Sequence, residues 1–398
     1  MSPVATQTPE QHGAQAHSDG GWDSNAPGYV PVQTRDARFT SVNHDDFPEV
    51  RGIENDWKLT PVARVRPLID GQLDGSPYAY LVNEATGASV DWIDRTDARV
   101  GLAGIPEDRG SANAWTSFER ALAITVTSED HVDLVLSRSQ LGDEPRAAHT
   151  IITAKANSNS TVIIRSSGDA QLAENVEIVV ESGATLTVVS VQEWSDPSTQ
   201  LASHFVQVGK DAHLRHIVVT LGGSVVRLNP SVHLSGEGAQ GELFGLYFAD
   251  AGQHFEQRVY LHHEAANTIG RVNYKGALQG VGAHTVWVGD VLIGPKASGT
   301  DSYEQNRNLV LSEGTRADSI PNLEIETGDI LGAGHASATG RFDDEQLFYL
   351  QARGITEAEA RRLVVIGFLA EIVQKIGNPE LESHLHAAIE AELSGGAQ

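Results

Sequence analysis

Short runs of β-branched and other apolar residues, separated by polar turn residues, dominate the chain from residue 147 to residue 340. The runs are 161–164, 176–180, 185–191, 213–221, 224–228, 258–261, 285–288 and 309–311. Gly, Asn, Asp and Ser stand between them, as is typical of tight turns. No stretch of helical periodicity intervenes, so the pattern predicts an all-β domain over residues 147–341.

A repeated alanine position indicates how these strands are arranged. Ala184, Ala212 and Ala239 each follow a glycine-containing turn and precede an apolar strand, at steps of 28 and 27 residues. This period suits one coil of a solenoid with several short strands per coil. A β-sandwich, the alternative, would place Asn-Gly or Asp-Gly hairpin turns at short intervals, and no such pair lies in this region. The pattern favours a parallel β-helix over a sandwich.

The regions on either side have different patterns. Residues 1–40 are rich in Gly, Pro, Gln and Ser, and we expect a disordered tail there. Residues 41–146 are mixed and predict an N-terminal α/β cap. Strand-like runs in the cap lie at 78–82 and 89–93, and a helix is predicted at 117–123. Residues 342–398 predict a C-terminal helical domain.

Capping signals define the C-terminal helices. Asp343 begins a helix predicted to end at Gly354, and Thr356 with Glu359 forms a capping box for a second helix that ends at Gly377. The second helix is apolar over more than a narrow stripe. Candidate interface residues on it are Leu363, Ile366, Phe368, Leu369 and Ile372. The helix either caps the β domain or docks another protein.

Composition and charge narrow the classes of function. The formal net charge is 28 − 53 = −25, without a cluster of Lys and Arg, so nucleic acid and anionic membrane would be repelled. Cysteine is absent, which excludes disulfides, a Cys nucleophile and an iron–sulfur cluster held by this chain's own thiolates. The first residues lack a signal-peptide pattern, and the longest apolar run, 363–373, is too short to cross a bilayer. We therefore expect a cytoplasmic protein without nucleic-acid or membrane partners.

One histidine is notable for its surroundings. His335 is preceded by Gly332, Ala333 and Gly334 and followed by Ala336, so little side-chain bulk shields its imidazole. It stands between the last β run and the first C-terminal helix, where the pattern predicts a loop. The imidazole is a candidate metal ligand or partner contact, and a purely structural role is the alternative.

Other polar groups fit structural roles. Adjacent side chains on a strand face opposite ways, so His262 and His263 should not share one ion, and His213 and His216 should also diverge. The polar stretch 300–306 is expected to form ladders at turns, with a polar interface as the alternative. The chain has no P-loop, Gly-x-Ser-x-Gly elbow or His-Glu-x-x-His motif.

Several motifs occur in the order typical of one family. They are Arg271-Val-Asn-Tyr-Lys-Gly276, Thr300-Asp301, Asn306, Leu309-Val-Leu-Ser312, Pro321-Asn-Leu-Glu-Ile325, His335, Asp344-Glu-Gln-Leu-Phe-Tyr-Leu350 and Arg353-Gly-Ile355, with a weaker match at residues 54–61. In this order they resemble SufD-type subunits of the SUF iron–sulfur cluster assembly machinery, in the SufB/SufD family. The resemblance is strongest from about Gln253 to Ile376.

The resemblance implies a mainly β protein with a right-handed parallel β-helix core and flanking helical regions. It implies a non-enzymatic scaffold that pairs with a SufB-like paralogue and recruits a SufC-like ABC ATPase through its C-terminal helices. The histidine that matches His335 would help to form a transient iron–sulfur cluster at the partner interface. No cofactor would be bound stably by this chain alone.

The chain departs from the family pattern near this histidine. Many relatives have a Cys shortly before it, where this chain has Gly332, Ala333 and Gly334, and Glu304 stands where Gln is usual. A partner would have to supply the thiolate, which favours a SufD-type over a SufB-type role. The alternative function is a carbohydrate-active β-helix enzyme with paired carboxylates.

Overall fold

The computed structural model describes residues 38–139, 141–341 and 344–395. Most of the predicted disordered tail, and the predicted cap Asp343, lie outside the described residues. The described chain is mainly β and forms a parallel β-solenoid of about eight turns followed by helices. The predicted β-helix is therefore confirmed over the sandwich.

Two nine-stranded sheets form the walls of the solenoid. Sheet A contains β2 (Ala88–Asp94), β3 (Arg120–Val126), β5 (Gly142–Ala154), β7 (Ala170–Val180), β9 (Thr199–Val208), β11 (Val225–Leu234), β13 (His254–His263), β15 (His284–Ile293) and β17 (Arg316–Ile325). Sheet B contains β1 (Leu81–Val82), β4 (Val132–Arg138), β6 (Asn159–Gly168), β8 (Thr185–Trp194), β10 (His213–Thr220), β12 (Gln240–Ala249), β14 (Ile269–Leu278), β16 (Thr300–Val310) and β18 (Ile330–Arg341). Neighbours pair in parallel except β1 with β4 and β2 with β3. Each coil thus contributes one strand to each sheet.

The strand register confirms the predicted coil period. His213, the first residue of β10, pairs with Thr185 of β8 and with Gln240 of β12. The residues immediately before these three are the repeated alanines, and all of them are buried. A small side chain suits this position because it is buried where successive coils stack, and the neighbouring coils have Ser158 and Thr268 there.

The solenoid begins earlier in the chain than the predicted boundary at residue 147. Parallel pairing already joins β3 to β5 through Leu122 and Thr150. The helix predicted at residues 117–123 is wrong, because α2 (Arg109–Ser117) ends where that helix should begin and the chain then enters β3. Pairing with β2 and β5 decides the conformation of this segment, and a local pattern does not contain that information.

One turn of successive coils requires a left-handed backbone conformation. The residues at this position are Asn157, Gly183, Asp211, Gly238, Asn267 and Gly299, with φ between 54° and 72°. Each amide donates to a carbonyl in the next coil, as from Asp211 to Glu237 at 2.9 Å. Asn or Asp alternates with Gly because the side-chain oxygen of one coil occupies the space beside the next glycine. A Cβ on Gly238 would lie 2.4 Å from Oδ1 of Asp211.

Helices pack on both sheets. They are a 3-10 turn (His44–Asp46), α1 (Val62–Asp70), α2, α3 (Asp344–Gln351), α4 (Glu357–Val373) and α5 (Pro379–Gly395). The first helices join a buried cluster with sheet A. Leu369 and Ile372 of α4 and Leu385 of α5 join Ile217 and Phe244 of sheet B in another. The predicted C-terminal helices are confirmed, and α4 and α5 pack against sheet B.

A buried charged cluster fixes the N-terminal region on sheet A. Arg227 of β11 donates to Thr60 Oγ1 at 2.7 Å and to the Asp56 carbonyl at 2.8 Å. Thr60 donates in turn to Glu256 of β13 at 2.7 Å. Although burial alone would raise the pKa of Glu256, the Arg227 guanidinium holds it well below its usual range. The paired charges therefore anchor this region to β11 and β13, in the middle coils.

Candidate functional site: the open end of the solenoid

The two ends of the solenoid differ. The antiparallel strands β1 and β2 interrupt the parallel stacking at the N-terminal end. At the other end, β17 and β18 each pair with a single strand within the described part of the chain. Exposed apolar residues Ile320, Ile325 and Leu331 lie on these strands. Such open edges present backbone donors and acceptors to any further strand.

The interior of the solenoid, called the lumen below, changes from apolar to polar towards this open end. Leu243, Val272, Glu304 and His335 are register neighbours on β12, β14, β16 and β18. Side chains at paired positions of parallel strands share one face, so these four form a single column directed into the lumen. The column begins with two apolar side chains and ends with a carboxylate and an imidazole.

A hydrogen-bonded network fills the neighbouring columns of the last coils. Asn306 donates to the Tyr247 hydroxyl at 2.8 Å, and this hydroxyl donates to Asn308 Oδ1 at 2.7 Å. Asn308 donates to Ser319 of β17 at 3.0 Å and to Thr339 of β18 at 3.3 Å. Burial raises the pKa of Tyr247 above its usual range, so its hydroxyl remains a donor. The network links both sheets and fixes the polar groups in position.

His335 lies at the mouth of the lumen. Its Nδ1 is 3.7 Å from Oε1 of Glu304, and its side chain is 44% exposed whereas Glu304 is fully buried. The predicted loop is wrong, because His335 lies in the middle of β18. Its small-residue neighbours are held extended by pairing with β16, from Gly332 opposite Asp301 onwards.

The polar stretch 300–306 also differs from its prediction. Thr300 stacks on Thr268 with their hydroxyls 3.1 Å apart, as the expected turn ladder would. The remaining residues lie along β16, where Ser302 and Glu304 point into the lumen. The turn interpretation is therefore wrong for most of the stretch. Burial alternates along the stretch, but the outward-facing Asp301 and Gln305 are polar as well, so the sequence pattern does not show which side chains point into the lumen.

The pairing of Glu304 with His335 determines what this end can do chemically. A carboxylate close to one ring nitrogen helps to orient an imidazole that acts as a ligand. Gly289 of β15 makes room for the carboxylate, since a Cβ there would lie 2.3 Å from Glu304 Oε2. The chain has no thiol, so an iron–sulfur species at this end would need thiolates from another molecule.

The other predicted histidine pairs do diverge as expected. His263 is buried in the lumen and hydrogen bonds with Ser302 at 3.0 Å, whereas His262 faces outwards. Burial lowers the pKa of His263 to about 3, which keeps it neutral. His216 is buried, 2.8 Å from a ring nitrogen of His204, and His213 is partly exposed.

The candidate interface residues of α4 separate into two groups. Leu363 is exposed, and Ile366 and Phe368 are half-buried. Leu369 and Ile372 are fully buried against sheet B and α5, so in this chain they hold α4 in place. The apolar face looked wide because α4 contacts both of these neighbours.

Two exposed aromatic residues on α3 escaped the sequence analysis. Phe348 and Tyr349 are 73% and 56% exposed, and the Arg353 guanidinium lies 4.5 Å from the Tyr349 ring centre. Exposed aromatic groups of this kind are frequent at protein interfaces.

Among the residues that the structure describes, no helix has the length and apolar character needed to cross a bilayer.

Fold and site together define a class: a parallel β-solenoid with a polar open end that carries a histidine. Residues 137–368 match the family model described as SUF system FeS cluster assembly, SufBD core domain. The chain belongs to the SufBD family, which confirms the resemblance at the level of the family.

Mycobacterial proteins show the same relationship. The chain is 47% identical over 366 residues to the iron-sulfur cluster assembly SufBD family protein ML0594 of Mycobacterium leprae (strain TN). The aligned residues cover 89% of this chain and 93% of that protein. It is also 47% identical over 365 residues to Rv1462 of Mycobacterium tuberculosis (strain ATCC 25618 / H37Rv), with 89% and 92% covered. A second Mycobacterium leprae family member, ML0593, is 30% identical over 220 residues, which are 55% of this chain and 25% of that protein.

Proposed function

We propose that this chain is a SufD-type scaffold subunit for iron–sulfur cluster assembly, which pairs through its open end with a second SufBD-type subunit. Family membership supports cluster assembly over the carbohydrate-active alternative. The pairing is inferred mainly from the last coil, where β17 and β18 present open strand edges beside a polar lumen. Another solenoid ending in two strands can continue both sheets through backbone hydrogen bonds.

The partner is a paralogue that carries cysteine. Mycobacterium leprae has two proteins of this family that match the chain to different degrees, which supports pairing between unlike subunits. The present chain cannot contribute a thiolate. The nascent cluster is cargo at the interface, with His335 as a ligand from this side and thiolates from the other. The subunit itself catalyses no reaction and works in the cytoplasm.

The C-terminal helices recruit an ABC-type ATPase. The exposed side chains of Phe348 and Tyr349 on α3 and Leu363 on α4 supply apolar area for docking. Because α4 is packed on sheet B, a movement imposed on these helices would be transmitted to the solenoid. Nucleotide-driven motion could then reach the subunit interface.

The first test separates cluster formation from pairing. The chain is co-expressed with its paralogue and the ATPase, and cluster formation is followed by absorbance after anaerobic addition of iron and sulfide. His335→Ala should reduce the cluster yield while the subunits still co-purify. The control is His131→Ala, because His131 is 51% exposed and likewise has a carboxylate neighbour, Asp133 at 3.1 Å. An unchanged yield with His335→Ala would remove this residue from the mechanism.

The second test addresses the open end itself. Leu331→Arg places a charge on β18 at a side chain that is 81% exposed and should abolish co-purification of the paralogue. Ile53→Arg changes a residue that is 77% exposed in the N-terminal region and should leave the complex intact. If both variants bind the paralogue like the unmodified chain, the pairing surface lies elsewhere.

A further inference from the structure

Two histidines and a glutamate from consecutive coils meet on the outer face of sheet A. His233 and His262 are register neighbours on β11 and β13, and Glu264 follows the end of β13. Nδ1 of His233 lies 2.7 Å, and Nδ1 of His262 lies 3.3 Å, from the same oxygen, Oε1 of Glu264. One potential ligand atom from each residue lies within 4.8 Å of the other two. Three donor atoms therefore surround one point, on the face opposite the lumen and away from His335.

We propose that His233, His262 and Glu264 form a binding site for a divalent transition-metal ion of the zinc(II) or iron(II) type. Two imidazoles and one carboxylate are a donor set that these ions favour, whereas magnesium and calcium prefer oxygen ligands throughout. With metal–ligand bonds of about 2.1 Å, neighbouring donor atoms are about 3.0–3.4 Å apart. The distances of 2.7 and 3.3 Å to Glu264 come near this range, and the ligand atoms of the two histidines, within 4.8 Å of each other, would adjust on binding.

The groups around the three residues suit a bound ion. Nε2 of His233 is 3.4 Å from the Ser231 hydroxyl, which donates its own hydrogen to Glu107 at 2.7 Å. The hydroxyl oxygen can therefore accept the Nε2 hydrogen of His233, leaving Nδ1 with a lone pair for the metal. Gly294 lies beside the ring of His262, and a Cβ on this glycine would be 3.2 Å from Nε2 of the ring. Because residue 294 is glycine, it does not cover the ring.

Access and ligand type also favour binding. The three side chains are partly exposed, at 24%, 14% and 35% for His233, His262 and Glu264, so an ion can enter from solvent. Glu264 supplies a carboxylate oxygen, a donor that zinc(II) and iron(II) accept beside imidazole nitrogens. Three protein ligands leave further coordination positions for water, which makes the ion exchangeable.

A hydrogen-bonded group without an ion is the competing explanation. Both imidazoles can donate an Nδ1 hydrogen to the same oxygen of Glu264, and this satisfies all three residues. The two explanations differ in their response to metal, because binding requires both Nδ1 atoms as lone pairs. A direct titration therefore separates them.

The full chain, first treated with EDTA and desalted, is titrated with zinc(II) against a chromophoric chelator, and separately with cobalt(II). Since the chain has no cysteine, cobalt(II) absorption reports nitrogen and oxygen ligands without a thiolate contribution. We expect one saturable site whose affinity falls roughly ten- to hundred-fold or more in His262→Ala and in the nearly isosteric Glu264→Gln. Zinc(II) should also raise the melting temperature of the unmodified chain more than that of Glu264→Gln.

Two control variants separate this site from other histidines and from the proposed function. His131→Ala removes an exposed histidine beside a carboxylate, and His335→Ala removes the imidazole at the open end. Both should retain the affinity of the unmodified chain for zinc(II). Identical titrations of the unmodified chain and Glu264→Gln would overturn the proposed site and leave the hydrogen-bonded group as the explanation. This result would not affect the role proposed for His335, which is measured by cluster yield.

Discussion

Gly238→Ala tests whether the alternation of glycine with Asn or Asp holds the coils together. Gly238 has φ of +72°, where a residue with a Cβ costs about 1–2 kcal/mol. The new methyl group would also lie 2.4 Å from Oδ1 of Asp211 in the preceding coil. Moving that side chain away from its rotamer costs about 0.5–1.5 kcal/mol. The expected loss in the free energy of unfolding is therefore about 1.5–3.5 kcal/mol.

A second glycine isolates the steric part of this effect. Gly252 also has φ of +72°, but nothing lies within 4 Å of a Cβ built there. Gly252→Ala should cost only the backbone contribution of about 1–2 kcal/mol. Urea unfolding of the two variants under identical conditions, with unchanged m-values, gives the comparison.

A double-mutant cycle then identifies the neighbour. In an Asp211→Gly background the side chain that obstructs position 238 is missing, so Gly238→Ala should cost no more than Gly252→Ala. Equal losses at positions 238 and 252 in the unmodified chain would refute the reasoning. So would a loss at position 238 that Asp211→Gly does not reduce.

Further predictions concern the helices and the buried titratable groups. Phe348→Asp should weaken co-purification of the ATPase. The control Val281→Asp, at a side chain that is 78% exposed in a turn, should not weaken it. Equal binding of the ATPase by the two variants would exclude α3 from the docking surface. Burial raises the pKa of Glu392 to about 7, so the stability gained from its neutral form is lost as the pH rises through about 7. Glu392→Gln should accordingly stabilise the chain against urea more at about pH 8 than at about pH 5, and an equal effect at both would contradict this. Burial lowers the pKa of His204 to about 3 and that of His216 well below its usual value. The unfolded chain therefore binds more protons than the folded chain below about pH 6.5, and the free energy of unfolding should fall towards about pH 4. His204→Gln should make this decline shallower, as measured by thermal unfolding across the same pH range.

The coil period could be predicted because one turn recurs with the same steric requirement. Ala184, Ala212 and Ala239 are buried where the turns of successive coils stack, and the regular spacing of these small residues is visible in the sequence. The start of the solenoid was not visible, since residues 117–123 have no helix-breaking residue and only pairing with β2 and β5 makes them extended. Register is a property of two segments, and a pattern along one segment does not fix it.

The same limitation explains the outcome at the candidate site. The small neighbours of His335 made it a candidate in the sequence, but Glu304 lies one coil earlier and becomes its neighbour only through the pairing of β16 with β18. Leu369 and Ile372 were only candidates for a docking surface, because the apolar pattern of one helix does not distinguish a partner from the chain's own sheet. Only the tertiary packing shows which residue neighbours His335 and that Leu369 and Ile372 are buried within this chain.

The polar last layer connects the stability of the solenoid with its proposed pairing. The column of Leu243 and Val272 could continue with apolar residues, and a buried carboxylate at Glu304 is a costly replacement unless its charge is compensated. His335 is the group that the fold places above it, yet at 44% exposure this imidazole remains in contact with water. A subunit stacked on β17 and β18 would exclude that water, and the attraction between carboxylate and imidazole would increase as the local dielectric falls. Pairing would thereby fix the orientation of the His335 ring at the moment when ligands from the partner arrive. A polar end that faces water usually keeps its charged groups exposed, whereas Glu304 is fully buried, and the proposed pairing would complete the surroundings of this buried carboxylate.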